Sequence, residues 1–426
     1  MKLSSRLFNL LTVIFFTSIL TGCQLYQAAK FRYDNATSTH QWLSESKTTQ
    51  IPFTLLSELI IVPVSINESE QLNFVFDTGA GATVILESSK TQALILASDG
   101  KLDISGGGEG FKSIANLVPD IEVTLGDIKL IDQTIIHLPI SSVPFFKDTD
   151  AVFFDGIIGY DFLKRFIVKI DYDKEIITLS EKLDFANNEI KHDKSWQRLP
   201  ISIEGNMSYV SVDAQLGANQ KTPLKLLIDT GFSGTFEIAQ IKHEELSAPY
   251  YQSRTQGLNG YSTIHVSNSQ SLSLGRYSKN DVPVLYNMST DEEVENSELL
   301  GNQFLKHFNM IFDYRNEQLF IKPNQNFDRS INLDRSGLRL MPHKFGAIVN
   351  DVATKTAAAT LGLKTGDIIT SYDGNRVTPE MFSSLTTVLA SNLKKIKLCW
   401  ISSGEEICDD IVLSSRLREV QHYKLI

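Results

Sequence analysis

The sequence predicts a mainly β protein, a duplicated β unit followed by a smaller α+β module, and three observations carry that prediction. Two segments, Phe74-Val75-Phe76-Asp77-Thr78-Gly79-Ala80 and Leu226-Leu227-Ile228-Asp229-Thr230-Gly231-Phe232, each place Asp-Thr-Gly after an apolar run. A second matched pair follows, Gly156-Ile157-Ile158-Gly159-Tyr160-Asp161-Phe162-Leu163 and Leu299-Leu300-Gly301-Asn302-Gln303-Phe304-Leu305. Finally, β-branched runs broken by turn residues recur through both copies, and a different pattern of strand, glycine turn and Ala-rich segment begins near residue 330.

The chain has 426 residues, 42% hydrophobic and 21% charged, with only 25 Gly and 12 Pro. That composition excludes collagen-like and disordered classes, and the length predicts several cores. Forty Lys and Arg stand against 50 Asp and Glu, a net charge of -10. With no basic excess to neutralise phosphates, no nucleic-acid partner is expected. Three cysteines without Cys/His clustering predict neither a disulfide scaffold nor a metal site, and no cofactor is expected.

Residues 1–22 read as an address. Lys2 and Arg6 precede an apolar run from Leu7 to Leu20, too short to span a bilayer but suited to a signal-peptide core. Leu20-Thr21-Gly22-Cys23 resembles the bacterial lipobox, which implies cleavage before Cys23 and its acylation, a membrane partner through the lipid anchor. Gln24 stands where that family's rule places an inner-membrane retention Asp, so the expected place is the outer membrane, facing the periplasm. Residues 23–50, polar and without apolar periodicity, are expected to be a tether.

The two β units are expected at 51–183 and 197–324. Leu59 to Ile66 and Tyr209 to Leu216 read as strands, each followed by a turn and the strand that delivers the Asp. Ile167 to Tyr172 with Ile176 to Leu179, and Met310 to Tyr314 with Gln318 to Lys322, read as hairpins whose Asp171 and Asp313, and Glu175 and Glu317, hold one register. Gly106 to Gly110 and Gly257-Leu258-Asn259-Gly260 mark hairpin tips, with Asn259-Gly260 as the turn signal. The first is not followed by the Gly-Lys-Ser/Thr of a phosphate loop.

Asp77-Thr78-Gly79-Ala80-Gly81-Ala82-Thr83-Val84 resembles the active-site loop of retropepsin-type aspartic proteases, and Ile157-Ile158-Gly159 with Phe162-Leu163 resembles the glycine turn and short helix that close that fold. The resemblance implies two retropepsin-like β-barrel lobes forming a pseudo-dimer in one chain, with Asp77 and Asp229 catalytic and protein or peptide as substrate. Thr78, Gly79, Ala80, Thr230, Gly231 and Phe232 would form the active-site loops, although Phe232 replaces a small residue. Two carboxylates that share a proton across a bound water can hydrolyse a peptide bond without metal, one as base and the other as acid. Ala80 and Phe232 bring no hydroxyl to these carboxylates, which predicts a dyad titrating above that of acid-acting relatives. No His-Glu-x-x-His or Gly-x-Ser-x-Gly offers a competing chemistry.

Residues 330–418 resemble a bacterial PDZ domain through Gly346-Ala347-Ile348-Val349, Gly366-Asp367-Ile368-Ile369 and Asp373-Gly374-Asn375. That resemblance implies a ligand peptide captured by strand addition, its carboxylate received by the loop at Gly337, Leu338, Arg339 and Leu340. Cys399 and Cys408 are equidistant from the turn Ser403-Gly404, so a two-residue hairpin would set them opposite each other, a disulfide candidate. The function expected is a tethered aspartic endopeptidase with a peptide-binding module. The alternative is an inactive envelope scaffold acting through that module.

Overall fold

The computed structural model describes residues 25–104, 106–108, 113–143, 153–216, 221–239, 250–289 and 298–419. Its architecture is mainly β, in three hydrogen-bonded sheets. Cys23 and the lipobox lie outside the described residues, as do Glu109 and Gly110. No helix among the described residues is long and apolar enough to cross a membrane.

The expected tether is corrected for the described residues. Residues 25–37 are helical, Thr39–Trp42 pairs with Ile128–Leu138, and Thr48–Pro52 pairs with Ile176–Ser180. Besides these ladders, Trp42 and Phe31 pack against the apolar cores and single polar contacts tie the segment down, none of which apolar periodicity registers. Arg165 donates to the carbonyls of Asn35 and Ser38, Asn35 Nδ2 donates to Thr134 O at 2.9 Å, and Trp42 Nε1 donates to Glu181 at 2.8 Å.

In the first half, Leu59–Ile66 and Leu72–Phe76 form an antiparallel pair. Gly156–Ile158 then inserts beside the second of these in parallel, Ile158 opposite Phe76, and pairs antiparallel with Val84–Leu86. The second half repeats the arrangement. Met207–Gln215 pairs with Thr222–Asp229, and Leu299–Gly301 runs parallel to the latter, Gly301 opposite Asp229, and antiparallel to Phe236–Ala239. Short helices Tyr160–Leu163 and Asn302–Leu305 follow these inserted strands.

The repeated hairpins explain why Asp and Glu recur in register. Asp171 Oδ1 accepts the amide of Lys174 and Asp313 Oδ1 that of Asn316, both at 3.2 Å, bridging three residues on. Glu175 and Glu317 then take φ values of 54° and 52°, the left-handed step that returns the chain. These hairpins meet across the halves, Ile167 opposite Asp313, so three strands from each half make one continuous ladder. A single apolar core runs through both halves. Phe74, Phe76, Phe236 and Phe304 are fully buried in it, each contributing roughly 2–3 kcal/mol by leaving water.

The C-terminal module has its own sheet, ordered Leu338–His343, Gly346–Val352, Ile368–Tyr372, Lys395–Ser402, Glu405–Val412, and its own core around Trp400 and Phe382. Ser403 and Gly404 form its last turn at φ 54° and 88°. Cys399 and Cys408 face each other in that ladder with Cα atoms 4.1 Å apart and sulfurs at bonding distance. One sequence reading moves by a residue: Gly257 pairs with Gly260, so the turn of that hairpin is Leu258-Asn259. Glycine is needed at 260 because φ there is 124°.

Candidate active site

Each Asp-Thr-Gly loop leaves the end of a buried strand and is pinned by the strand inserted beside it. Asp77 N donates to Ile158 O at 3.0 Å. The loop is then closed from behind. Tyr160 N donates to Ala80 O at 2.8 Å, and Asn302 N donates to Phe232 O at the same distance in the second half.

The two loops are locked to each other by their threonines. Thr78 Oγ1 donates to Ile228 O at 2.7 Å and accepts from Thr230 N at 3.1 Å. Thr230 Oγ1 donates to Phe76 O at 2.6 Å and accepts from Thr78 N at 3.1 Å. Both side chains are buried, so each hydroxyl uses a donor and an acceptor role in a site that water does not reach.

The same lock puts the carboxylates together. A Cβ on Gly79 would lie 2.5 Å from Asp229 Cγ, and one on Gly231 would collide with the Asp77 carboxylate. Glycine is therefore required at both positions by the opposite half's acid, not by backbone angle. Asp77 Oδ1 accepts from Gly79 N at 2.7 Å and Ala80 N at 3.1 Å. Asp229 Oδ1 accepts from Gly231 N at 2.8 Å, while Phe232 N turns to the Asp229 main-chain carbonyl at 3.4 Å.

Burial raises the pKa of both acids. For Asp77 the backbone donors at Gly79 and Ala80 oppose that rise. Asp229 is pushed well above the usual carboxylate range, by burial first and by the charge of Asp77 next. Gly79 N and Ala80 N both donate to the Asp77 carboxylate while Gly231 N donates to that of Asp229, so the charged form is favoured more on the Asp77 side.

Phe232 does not take the place of a small residue without consequence. A Cβ on Gly301 would lie 2.5 Å from its Cδ1, and one on Gly234 would meet the same ring. The ring lies over the glycines of its own loop and closing turn. Behind the loops, sequence reading missed a further layer: Tyr172 OH donates to Asn302 Oδ1, and Asn302 Nδ2 donates to Glu58 O at 2.6 Å. Tyr314, in the matching place, packs edge-on to Tyr160 at 5.5 Å and its hydroxyl has no partner among the described residues. The signal was the shared register of Tyr172 with Tyr314 and of Tyr160 with Asn302.

The residues expected to receive a peptide carboxylate are engaged within the chain. Gly337 N donates to Asp334 Oδ1 at 2.7 Å, and Leu338 N donates to Ser336 Oγ at 3.1 Å. Leu338 is buried in the module's core and Leu340 packs against it, while Arg339 donates to Arg254 O of the second half. Among the described residues no three His, Cys, Asp or Glu side chains are grouped to hold a metal ion.

The sequence model of the aspartyl protease family matches residues 62–162, from inside the strand Leu59–Ile66, through the Asp77 loop, to the helix after Gly159. That stretch is an aspartic-protease-like domain, and the match supports a peptidase-type function acting on protein or peptide. No curated protein matches the chain.

Proposed function

We propose that the protein is an aspartic endopeptidase whose two halves are retropepsin-like lobes fused in one chain, each giving one carboxylate. One observation carries this reading: the threonine lock holds two Asp-Thr-Gly loops face to face, each carboxylate against the other loop's glycine. A water between the carboxylates loses a proton to the ionised Asp77 as its oxygen attacks the peptide carbonyl carbon. Protonated Asp229 donates to the carbonyl oxygen, which neutralises the charge that develops there. The tetrahedral diol then collapses. A proton passes to the leaving nitrogen, the C–N bond breaks and one proton stays on the pair. Because burial raises both acids, the singly protonated state persists towards neutral pH, and the bell-shaped rate profile is displaced upwards from that of an unburied carboxyl pair.

Beyond 330 we read a PDZ-like module, and at Cys23 a lipid anchor that places the enzyme in the periplasm. An oxidising compartment suits the Cys399–Cys408 pair. The test is hydrolysis of casein by the wild type, Asp77→Asn and Asp229→Asn. Each substitution should lower turnover by about 10³-fold or more while leaving the melting transition in place. Equal turnover in wild type and variants would reject the enzyme and favour the scaffold.

A further inference from the structure

The hairpin Tyr251–Gly257/Gly260–Asn268 reaches the first half at its tip, where Asn259 N donates to Gly107 O at 2.9 Å. Leu258 at that tip packs in one apolar cluster with Leu102 and Ile104 of the first half's hairpin and with Ala82 and Val84, just beyond the Asp77 loop. The two tips therefore close over the catalytic-loop side of the first half.

The C-terminal module lies across this closure. Its edge strand Leu338–His343 and the next strand pair Arg339 with Asp351 and Met341 with Ile348, so these four share the face turned away from the module's core residues Leu338 and Val349. From that face Met341 enters the tip cluster and Arg339 donates to Arg254 O. Asp351 pairs with the Arg254 guanidinium at 2.5 Å. Asn350 accepts from Tyr261 OH at 3.0 Å and donates to Gln256. Both strands of the second hairpin are thus held from outside.

The chemistry of these contacts is that of a surface that parts. Apart from Met341 and the Arg416 guanidinium over the Tyr251 ring they are hydrogen bonds and an ion pair. The Arg339 guanidinium is buried among them. The Arg254–Asp351 pair, however, is half exposed at Arg254, and such polar contacts between units of one chain can be exchanged for water. A hairpin that covers a cleft must lift to admit a polypeptide. Here it cannot lift while bonded along both strands to the module.

We propose that the C-terminal module is a latch on the second hairpin, so that the hairpin opens only when the module's sheet swings away. The gating role rests on the protease reading; the latch itself rests on the contacts. In the full chain, Asp351→Lys replaces the ion pair with repulsion, and Arg254→Glu with Asp351→Lys restores a pair of reversed sign. Amide hydrogen exchange over 251–266 should be about fivefold faster in the single variant, the factor that one half-exposed ion pair supports, and should return towards wild type in the double. Casein hydrolysis should rise and fall in parallel. Asn350→Ala, which removes only the uncharged bonds, is the second route should the lysine prevent folding.

Unchanged exchange in both Asp351→Lys and Asn350→Ala overturns the latch. Faster exchange with slower hydrolysis overturns the gate, because the module would then be ordering the hairpin for catalysis. Faster exchange with no hydrolysis in any variant, wild type included, sinks the protease reading and leaves the latch standing.

Discussion

Around the two Asp-Thr-Gly loops the two halves make the same bonds in different surroundings. Ala80 and Phe232 each accept a backbone amide from the closing helix at 2.8 Å, and Thr78 and Thr230 exchange the same two bonds. Yet Tyr160 stands where the second half has Asn302, and half-buried Val84 stands where it has Glu237, each of the latter two opposite the matching residue of the inserted strand, Ile157 and Leu299. The difference teaches that the lock between halves is the same from both sides, while the layer behind it is not. A symmetric lock with asymmetric backing gives the two acids unequal surroundings.

The largest test is of the symmetric part. Thr78→Val strips partners from Ile228 O and Thr230 N, and Thr230→Val from Phe76 O and Thr78 N, all at a buried junction. Each should destabilise by about 3–5 kcal/mol, since two buried groups are left unpaired. The two losses should agree within about 0.5 kcal/mol, and the double variant should lose less than their sum, because a loop freed on one side no longer holds the other. Denaturant unfolding measures all three. Losses that differ by more than that would show that the lock is carried by one half.

Much of this lock is legible in the amino-acid sequence. The repeated Asp-Thr-Gly, the Asp171 and Asp313 turns and the mirrored cysteines are short-range patterns, in which each residue's role is set by neighbours within a few positions. What sequence reading misses is set at long range by lone polar contacts. Residues 25–50 join the first half through Arg165, Asn35 and Trp42, none of them periodic. The loop at Gly337 reads as open because its occupant, Asp334, lies three residues upstream without a motif to announce it. The hold of Arg339, Asn350 and Asp351 on the second hairpin joins residues more than eighty positions apart, which no local pattern encodes.

A smaller effect, dependent on pH, tests the asymmetric part. Glu237 accepts from Asn287 Nδ2 at 2.7 Å with one oxygen, and its other oxygen is buried without a partner among the described residues. Burial pushes its pKa from 4.5 up to about 7, with Arg339 of the module opposing the rise. A carboxyl raised in the folded state stabilises it fully below the unfolded pKa and loses that contribution as pH rises through the folded one. Stability should therefore fall between about pH 4.5 and 7. Glu237→Val, which copies the first half at Val84, should remove this fall, and its gain at pH 8 should exceed that at pH 4 by roughly 3 kcal/mol. Thermal unfolding at the two pH values decides it; an equal gain at both would mean that the carboxylate finds compensation in Arg339.

The smallest effect is the sharpest, because it sets the same substitution at matching places in the two halves. Tyr172 and Tyr314 are both buried, and both follow the Asp that ends the shared ladder. Tyr172 OH has Asn302 Oδ1 as its acceptor, and that amide continues to Glu58 O, whose side chain is itself paired with Lys306 at 2.5 Å. Removing the hydroxyl leaves Asn302 Oδ1 buried without its donor, so Tyr172→Phe should destabilise by about 1–1.5 kcal/mol. Tyr314 OH has no partner among the described residues, since Tyr160 offers a ring where Asn302 offers an amide. Its desolvation is uncompensated in the native state, and Tyr314→Phe should therefore be neutral or stabilising by up to about 1 kcal/mol. A loss at Tyr314 equal to that at Tyr172 would mean that a bound water completes the first half's layer, and that the two halves are alike behind the loops as well as at them.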